Sequence, residues 1–196
     1  VGRIDSGPWL ARWSADASVR WIRLAAAPSP AVPAMAATVG GAVVVAWADR
    51  DASGYQGWSD LEARRAGPDG TPRGGAFRLN RSTAGLQSRP ALAVDDAGVL
   101  TAVWESPDRG DGDPGVFGRR FDAGGLPLGG EFRIDGNGDG SSGRPRAASL
   151  PDGRTLVAWE ARPDGGPSTV RLRAFAAGNR EGAAARPGGE RVVHHP

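Results

Sequence analysis

The sequence predicts an all-β, propeller-like protein of four consecutive antiparallel blades with three to four strands each, arranged as a closed small ring or an open arc. Three observations predict it. Trp13, Trp47, Trp104 and Trp159 each stand six residues after a glycine (Gly7, Gly41, Gly98 and Gly153), with a short apolar run between. Pro33, Pro90 and Pro145 each stand fourteen residues before the last three of those tryptophans. Among 196 residues there are 31 Gly and 16 Pro, with a hydrophobic fraction of 39%, which fits short strands and tight turns better than long helices. A chain of this size buries about 70% of the surface its unfolded form exposes, enough for a core without staples.

Registering the units on their tryptophans treats 1–196 as a single repeat domain with units 1–32, 33–89, 90–144 and 145–196. Unit three displays the pattern in full. Pro90–Val94 is a strand, Asp95–Gly98 a turn, Val99–Trp104 a second strand, Gly115–Phe121 a third and Glu131–Ile134 a fourth. Alternation puts Leu100, Ala102 and Trp104 on one face and Val99, Thr101 and Val103 on the other. Because nearly all are apolar, the strand is expected to be covered on both sides. Val43–Trp47 and Thr155–Trp159 read the same way.

The fourth strand recurs as Gly74–Asn80, Gly129–Asp135 and Gly188–His194, each opening on a double glycine. Unit one passes from Val19–Leu24 into unit two without a fourth strand. Small sheets that shelter one another radially make a propeller; a β-sandwich is the competing arrangement. The aligned tryptophans are expected to be core or blade-interface residues. The third-strand arginines Arg64 and Arg65, Arg119 and Arg120, and Arg171 and Arg173 are expected to alternate between solvent and cross-strand carboxylates.

The net charge is +2, from 24 basic against 22 acidic residues, and every basic residue is arginine. Arginines and carboxylates are interleaved, unlike the basic stripe of a nucleic-acid binder. With no cysteine there are no disulfides, thiolate metal sites or cysteine nucleophiles. No apolar run approaches the ~20 residues of a membrane span. Val1 in place of methionine reads as the start of a processed or excised chain. His194 and His195 form a tail or a metal clip, and no other histidine can serve a Ser/His/Asp triad.

Loops after the second and fourth strands emerge on one rim. The second-strand loops 49–60, 106–114 and 162–168 are long and dissimilar, whereas the opposite turns 67–70 and 123–127 are short and uniform, so binding is expected on the first rim. Tyr55 and Trp58 in the longest loop are candidates for stacking a ligand. Asp111, within an Arg109-Gly-Asp111 tripeptide, and Asp113 are polar candidates in the next loop. Asp135, Asn137 and Asp139 place oxygen ligands at alternate positions with glycines between, a spacing that suits calcium; Arg146 stands where an EF-hand would carry glutamate, and a solvated turn is the other reading. A glycosidase needs two opposed carboxylates, and none of the acidic loop residues is set in an apolar surround.

Units two to four resemble tandem repeats of large secreted and surface proteins of bacteria. The pattern is Pro, an alternating strand, a turn with Asp and Gly, a Val-rich strand ending in Trp, an Asp/Gly loop, Gly115-Val-Phe-Gly-Arg-Arg-Phe121, and Gly130-Glu-Phe-Arg-Ile134, with Asn80–Pro90 as the linker between units. The resemblance implies propeller-like structure, an extracellular or cell-surface setting and an accessory or adhesive role, and it brings no catalytic residues. Residues and resemblance together lead to the expectation of a non-enzymatic module that binds glycan or protein through one rim, with calcium as a candidate cofactor. A structural subunit of an extracellular assembly, homo-oligomeric or larger, is the alternative, and a carbohydrate-active hydrolase stands third.

Overall fold

The computed structural model describes residues 8–13, 19–24, 30–50, 59–108, 114–136, 141–162, 166–176 and 191–193. All regular structure among them is β. The first blade pairs β1 (Trp9–Trp13) with β2 (Val19–Arg23). The second is β3 (Pro30–Ala37), β4 (Val43–Arg50), β5 (Ser59–Ala66) and β6 (Pro72–Arg78). The third is β7 (Leu86–Val94), β8 (Leu100–Asp108), β9 (Gly115–Phe121) and β10 (Phe132–Arg133), and the fourth is β11 (Ser141–Ser149), β12 (Thr155–Arg162), β13 (Thr169–Phe175) and β14 (Arg191–Val193). Within each blade neighbouring strands pair antiparallel in chain order, and one parallel pair, Ser59 with Leu86, ties the second blade to the third. β3 packs on β7 and β7 on β11, so the first strands of successive blades line up along the inner side of the arc. No strand pairing among the described residues joins the first blade to the fourth, and the arc is open.

The repeated glycine has a backbone reason. Gly41, Gly98 and Gly153 take φ of 74°, 79° and 79° in the turn between first and second strands, and each donates its N–H three residues back, to Thr38, Asp95 and Leu150. Only glycine enters that left-handed region without a steric cost. The turn fixes the register, and the register decides which way the tryptophan faces. Trp47, Trp104 and Trp159 are all fully buried, each against the preceding blade. Trp47 packs with Leu24, and Trp104 with Ala46 and Leu61. Trp159 packs with Val103 and Ile134.

Alternate residues cover the opposite face. Val44, Ala46 and Ala48 of the second blade meet Leu92, Leu100 and Trp104 of the third, while Ala91, Val103 and Val116 of the third meet Val157 and Trp159 of the fourth. The second strands are therefore covered on both sides as far as the third blade. On the fourth blade, Arg146, Ala148, Leu156 and Ala158 hold the positions of Ala91, Ala93, Thr101 and Val103. Those four are buried on the third blade, and their counterparts are only partly covered or exposed.

The third-strand arginines depart from expectation. Arg64, Arg65, Arg119, Arg120 and Arg173 donate to backbone carbonyls, four of them on a neighbouring blade. Arg65 Nη2 reaches Asp122 O of the third blade at 2.6 Å, and Arg120 Nη1 reaches Ala176 O of the fourth at 3.1 Å. The acceptors are equivalent, each following the last residue of a third strand. Arg64 reaches back to Leu24 O of the first blade, and Arg173 Nη1 reaches back to Ile134 O at 2.5 Å. Strand ends leave carbonyls without a ladder partner, and a long guanidinium from the adjacent sheet satisfies them. Ala174 stands where Arg65 and Arg120 stand in the earlier blades. Arg120 is nearly buried, and desolvation pushes its pKa down. Arg120→Ala is expected to cost about 1.5–3 kcal/mol in urea unfolding. Arg119→Ala, whose Nε bonds Gly129 O within its own blade, should cost under ~1 kcal/mol. Equal losses would remove the inter-blade strut from this account.

Candidate functional site

A polar cleft of about 230 Å³ opens where the third and fourth blades meet, on the rim from which the second-strand loops leave. Arg89 and Glu105 line it from the third blade. Ser141, Gly143, Arg144, Glu160, Arg162 and Ser168 line it from the fourth. Glu105 follows Trp104 and Glu160 follows Trp159. Alternation turns each away from its tryptophan, Glu105 toward the fourth blade and Glu160 toward the outer face of its own blade, and both reach the cleft at the rim, where their strands end.

Glu105 is nearly buried. Its Oε1 accepts from Arg89 Nη1 at 2.5 Å and from Ser88 Oγ at 3.3 Å, and its Oε2 accepts from the Arg144 backbone N–H at 2.9 Å. A Cβ on Gly143 would lie 2.6 Å from that same Oε2, so a larger residue there would displace the carboxylate from this position. Glu160 is about half exposed, and Arg144 Nη1 donates to its two oxygens at 3.3 and 3.1 Å. Arg89 and Arg144 both stand immediately before a proline, with φ of 49° and 52°. Both sit where the pairing of first and second strands shifts register, between Ser88 and Ala91 and between Gly143 and Arg146. The bulge turns the arginine toward the rim.

A second carboxylate group lies on the second blade, where Asp49 pairs across from Asp60 and Trp47 from Glu62. Burial, with Asp49 and Asp60 adding repulsion, pushes the Glu62 carboxyl above its ordinary value against the opposing pull of Arg78. Arg78 bridges Asp60 at 3.4 Å, and Asn80 Nδ2 donates to Asp60 at 2.6 Å.

Of the candidates read from the sequence, Asp135 is the one within the described residues. Its side chain is fully enclosed. Oδ1 accepts the Val116 N–H at 3.2 Å and Arg133 Nε at 3.0 Å, as Asn80 Oδ1 accepts the Leu61 N–H at 2.7 Å one blade earlier. Asn137, Asp139, Tyr55, Trp58, Asp111 and Asp113 lie outside the described residues. Among the described residues no three His, Cys, Asp or Glu side chains gather as a metal site, and no helix is long and apolar enough to cross a membrane.

Sequence reasoning misses the cleft residues because it looks to loops, while the cleft is built from strand ends. A signal is present: Arg-Pro and Trp-Glu recur together at 89–90 with 104–105 and at 144–145 with 159–160, whereas the second unit carries Val32-Pro33 and Trp47-Ala48.

No protein-family model matches the chain, and no curated protein matches it. Solved structures do share its fold. The α-L-arabinanase of Penicillium chrysogenum, complexed with arabinobiose, superposes with a TM-score of 0.58 at 13% identity over 95% of this chain and 59% of that one. The GH93 α-L-arabinofuranosidase of Fusarium graminearum gives 0.55 at 12% identity over 92% and 56%. The endo-arabinase of Bacteroides thetaiotaomicron gives 0.53 at 14% identity over 81% and 62%. At such identities the likeness establishes a propeller-type fold. The chain spans about three-fifths of the length of the two arabinan-degrading enzymes. The expectation of a non-enzymatic binding or structural module is corrected by these neighbours, which are glycoside hydrolases. That expectation rests on the acidic residues of loops, and it passes over the strand-end glutamates.

Proposed function

We propose that the chain is the glycan-hydrolysing portion of a propeller-type carbohydrate-active enzyme, with Glu105 and Glu160 as its working carboxylates. One observation carries the reading: two glutamates at the same repeat position on adjacent blades line one cleft. Glycoside hydrolysis uses a carboxyl pair flanking the scissile bond, one group moving a proton at the leaving oxygen and the other facing the positive charge that develops on the sugar ring. Glu160, half open to the cleft, suits proton exchange with a substrate oxygen. Glu105 is held by Arg89, Ser88 and the Arg144 N–H, and its fixed position suits the charge-facing role, since preorganised charge needs no rearrangement during reaction. A secreted or cell-surface setting, implied by the repeat resemblance, fits a polymeric glycan substrate.

The test is turnover of a panel of neutral and acidic oligosaccharides, arabino-oligosaccharides included, by the chain and by Glu160→Gln. The variant is expected to lose roughly 10²–10⁴-fold in kcat with an unchanged melting temperature. Full activity in the variant, or no turnover of any glycan by folded protein, would overturn the reading.

A further inference from the structure

From the arginines of the cleft we infer its substrate class: it binds a carboxylate-bearing sugar, a uronic-acid unit of an acidic glycan. The inference rests on the hydrolase reading for the fate of that sugar and on separate observations for its charge. Three arginines, Arg89, Arg144 and Arg162, line the cleft together with two glutamates. The glutamates leave guanidinium capacity over. Among the described contacts, the Arg89 and Arg144 side chains donate to them through Nη1 alone, so the Nε and Nη2 edge of each guanidinium is unengaged. That edge offers two parallel N–H groups, the geometry that grips both oxygens of a carboxylate.

Backbone conformation singles out the same two residues. Arg89 and Arg144 are the positive-φ residues other than glycine among the described positions. Left-handed backbone is costly for a residue with a Cβ and free of that cost for glycine, and strain of this kind persists where a side chain is needed in place. Nor does the bulge itself demand arginine. In the second blade the register shift between Ala31 and Ala34 spans Val32-Pro33, with valine at the equivalent position. The strained arginine therefore appears in the two blades that border the cleft and is absent from the second blade, which does not border it.

Hydroxyls complete a site for a hydrated sugar ring. Ser141 and Ser168 line the cleft, and Ser168 Oγ accepts from Arg162 Nε at 3.0 Å, which holds the third guanidinium at the fourth-blade wall. A neutral pentose or hexose would leave the arginine edges without an anionic acceptor.

The test titrates the chain by calorimetry with digalacturonate and diglucuronate, and with their methyl esters, which keep the rings and remove the charge. The free acids are expected to bind at least tenfold more tightly than the esters. Arg89→Gly and Arg144→Gly are expected to abolish that preference in protein that still unfolds cooperatively, the relieved φ offsetting part of the ion pair each variant removes. Equal binding of acid and ester, binding of neither, or an intact preference in both glycine variants would overturn the inference. Turnover of neutral glycans with acids ignored would sink the substrate class and spare the hydrolase reading. Variant-sensitive acid binding without any hydrolysis would do the reverse.

Discussion

Trp104→Ala should cost about 3–5 kcal/mol, the range for emptying a buried aromatic site, and so remove a large share of the 5–15 kcal/mol by which a domain is ordinarily stable. Trp104 is fully buried between the second and third blades, among Leu61, Leu92, Leu100 and Phe117. Small residues across the interface, Ala46, Ala48 and Ala63, leave no long side chain to swing into the vacated volume. The indole N–H adds a difference between equivalent sites. Trp104 Nε1 donates to Gln87 Oε1 at 3.1 Å, in a site where Gln87 is itself fully buried. The Nε1 atoms of Trp47 and Trp159 are buried with no such acceptor. Trp104→Phe therefore strands an acceptor, at about 1–3 kcal/mol, whereas Trp159→Phe removes a donor that is already unsatisfied. Urea unfolding of the four variants should rank Trp104→Ala and Trp159→Ala as severe, Trp104→Phe as intermediate and Trp159→Phe as mildest. If the two phenylalanine variants unfold together, the Gln87 bond contributes nothing measurable.

The strand framework was legible because the signals that specify it are local. Gly98 announces a turn that needs positive φ, and the turn sets the parity that sends Trp104 one way and Val103 the other. What escaped was everything decided by the neighbouring blade. Arg65 and Arg120 read as surface cations because a sequence displays charges and conceals orphan carbonyls; their acceptors, the carbonyls of Asp122 and Ala176, lie 57 and 56 residues away. The cleft was hidden for the same reason. Glu105 and Arg144 are 39 residues apart, and only the stacking of the fourth blade on the third brings the Arg144 N–H to the carboxylate. Asp135 carries two signals at once: its spacing with Asn137 and Asp139 suits calcium, and its position in the repeat, matching Asn80, marks it as the residue that closes a fourth strand onto a third.

That equivalence makes Asp135 the second site where substitution should matter most, and it separates two causes. Asp135→Ala removes the acceptor from the buried Val116 N–H and the carboxylate from Arg133, whose side chain is 17% exposed. The expected loss is about 3 kcal/mol. Asp135→Asn keeps an oxygen where Asn80 has one and should stay within about 1 kcal/mol of the parent. The pH dependence then has a definite sign. Burial raises the Asp135 carboxyl above its ordinary value, and Arg133 and the Val116 N–H pull against it without cancelling the shift. A carboxyl whose folded pKa exceeds its unfolded one holds its proton more tightly in the folded state. Its contribution therefore declines as pH rises from the unfolded value, about 3.9, through the folded one, and is level above that. Asparagine carries no such slope. Asp135→Asn should gain on the parent protein as pH climbs through that window, while Asp135→Ala stays destabilised at every pH because the Val116 N–H is orphaned throughout. Urea midpoints of the three proteins between pH 4 and 8 read both effects. An asparagine variant as unstable as the alanine one would mean that the repeat equivalence with Asn80 is coincidental. A pH-independent gap between Asp135→Asn and the parent would mean that desolvation of the carboxylate is not what distinguishes them.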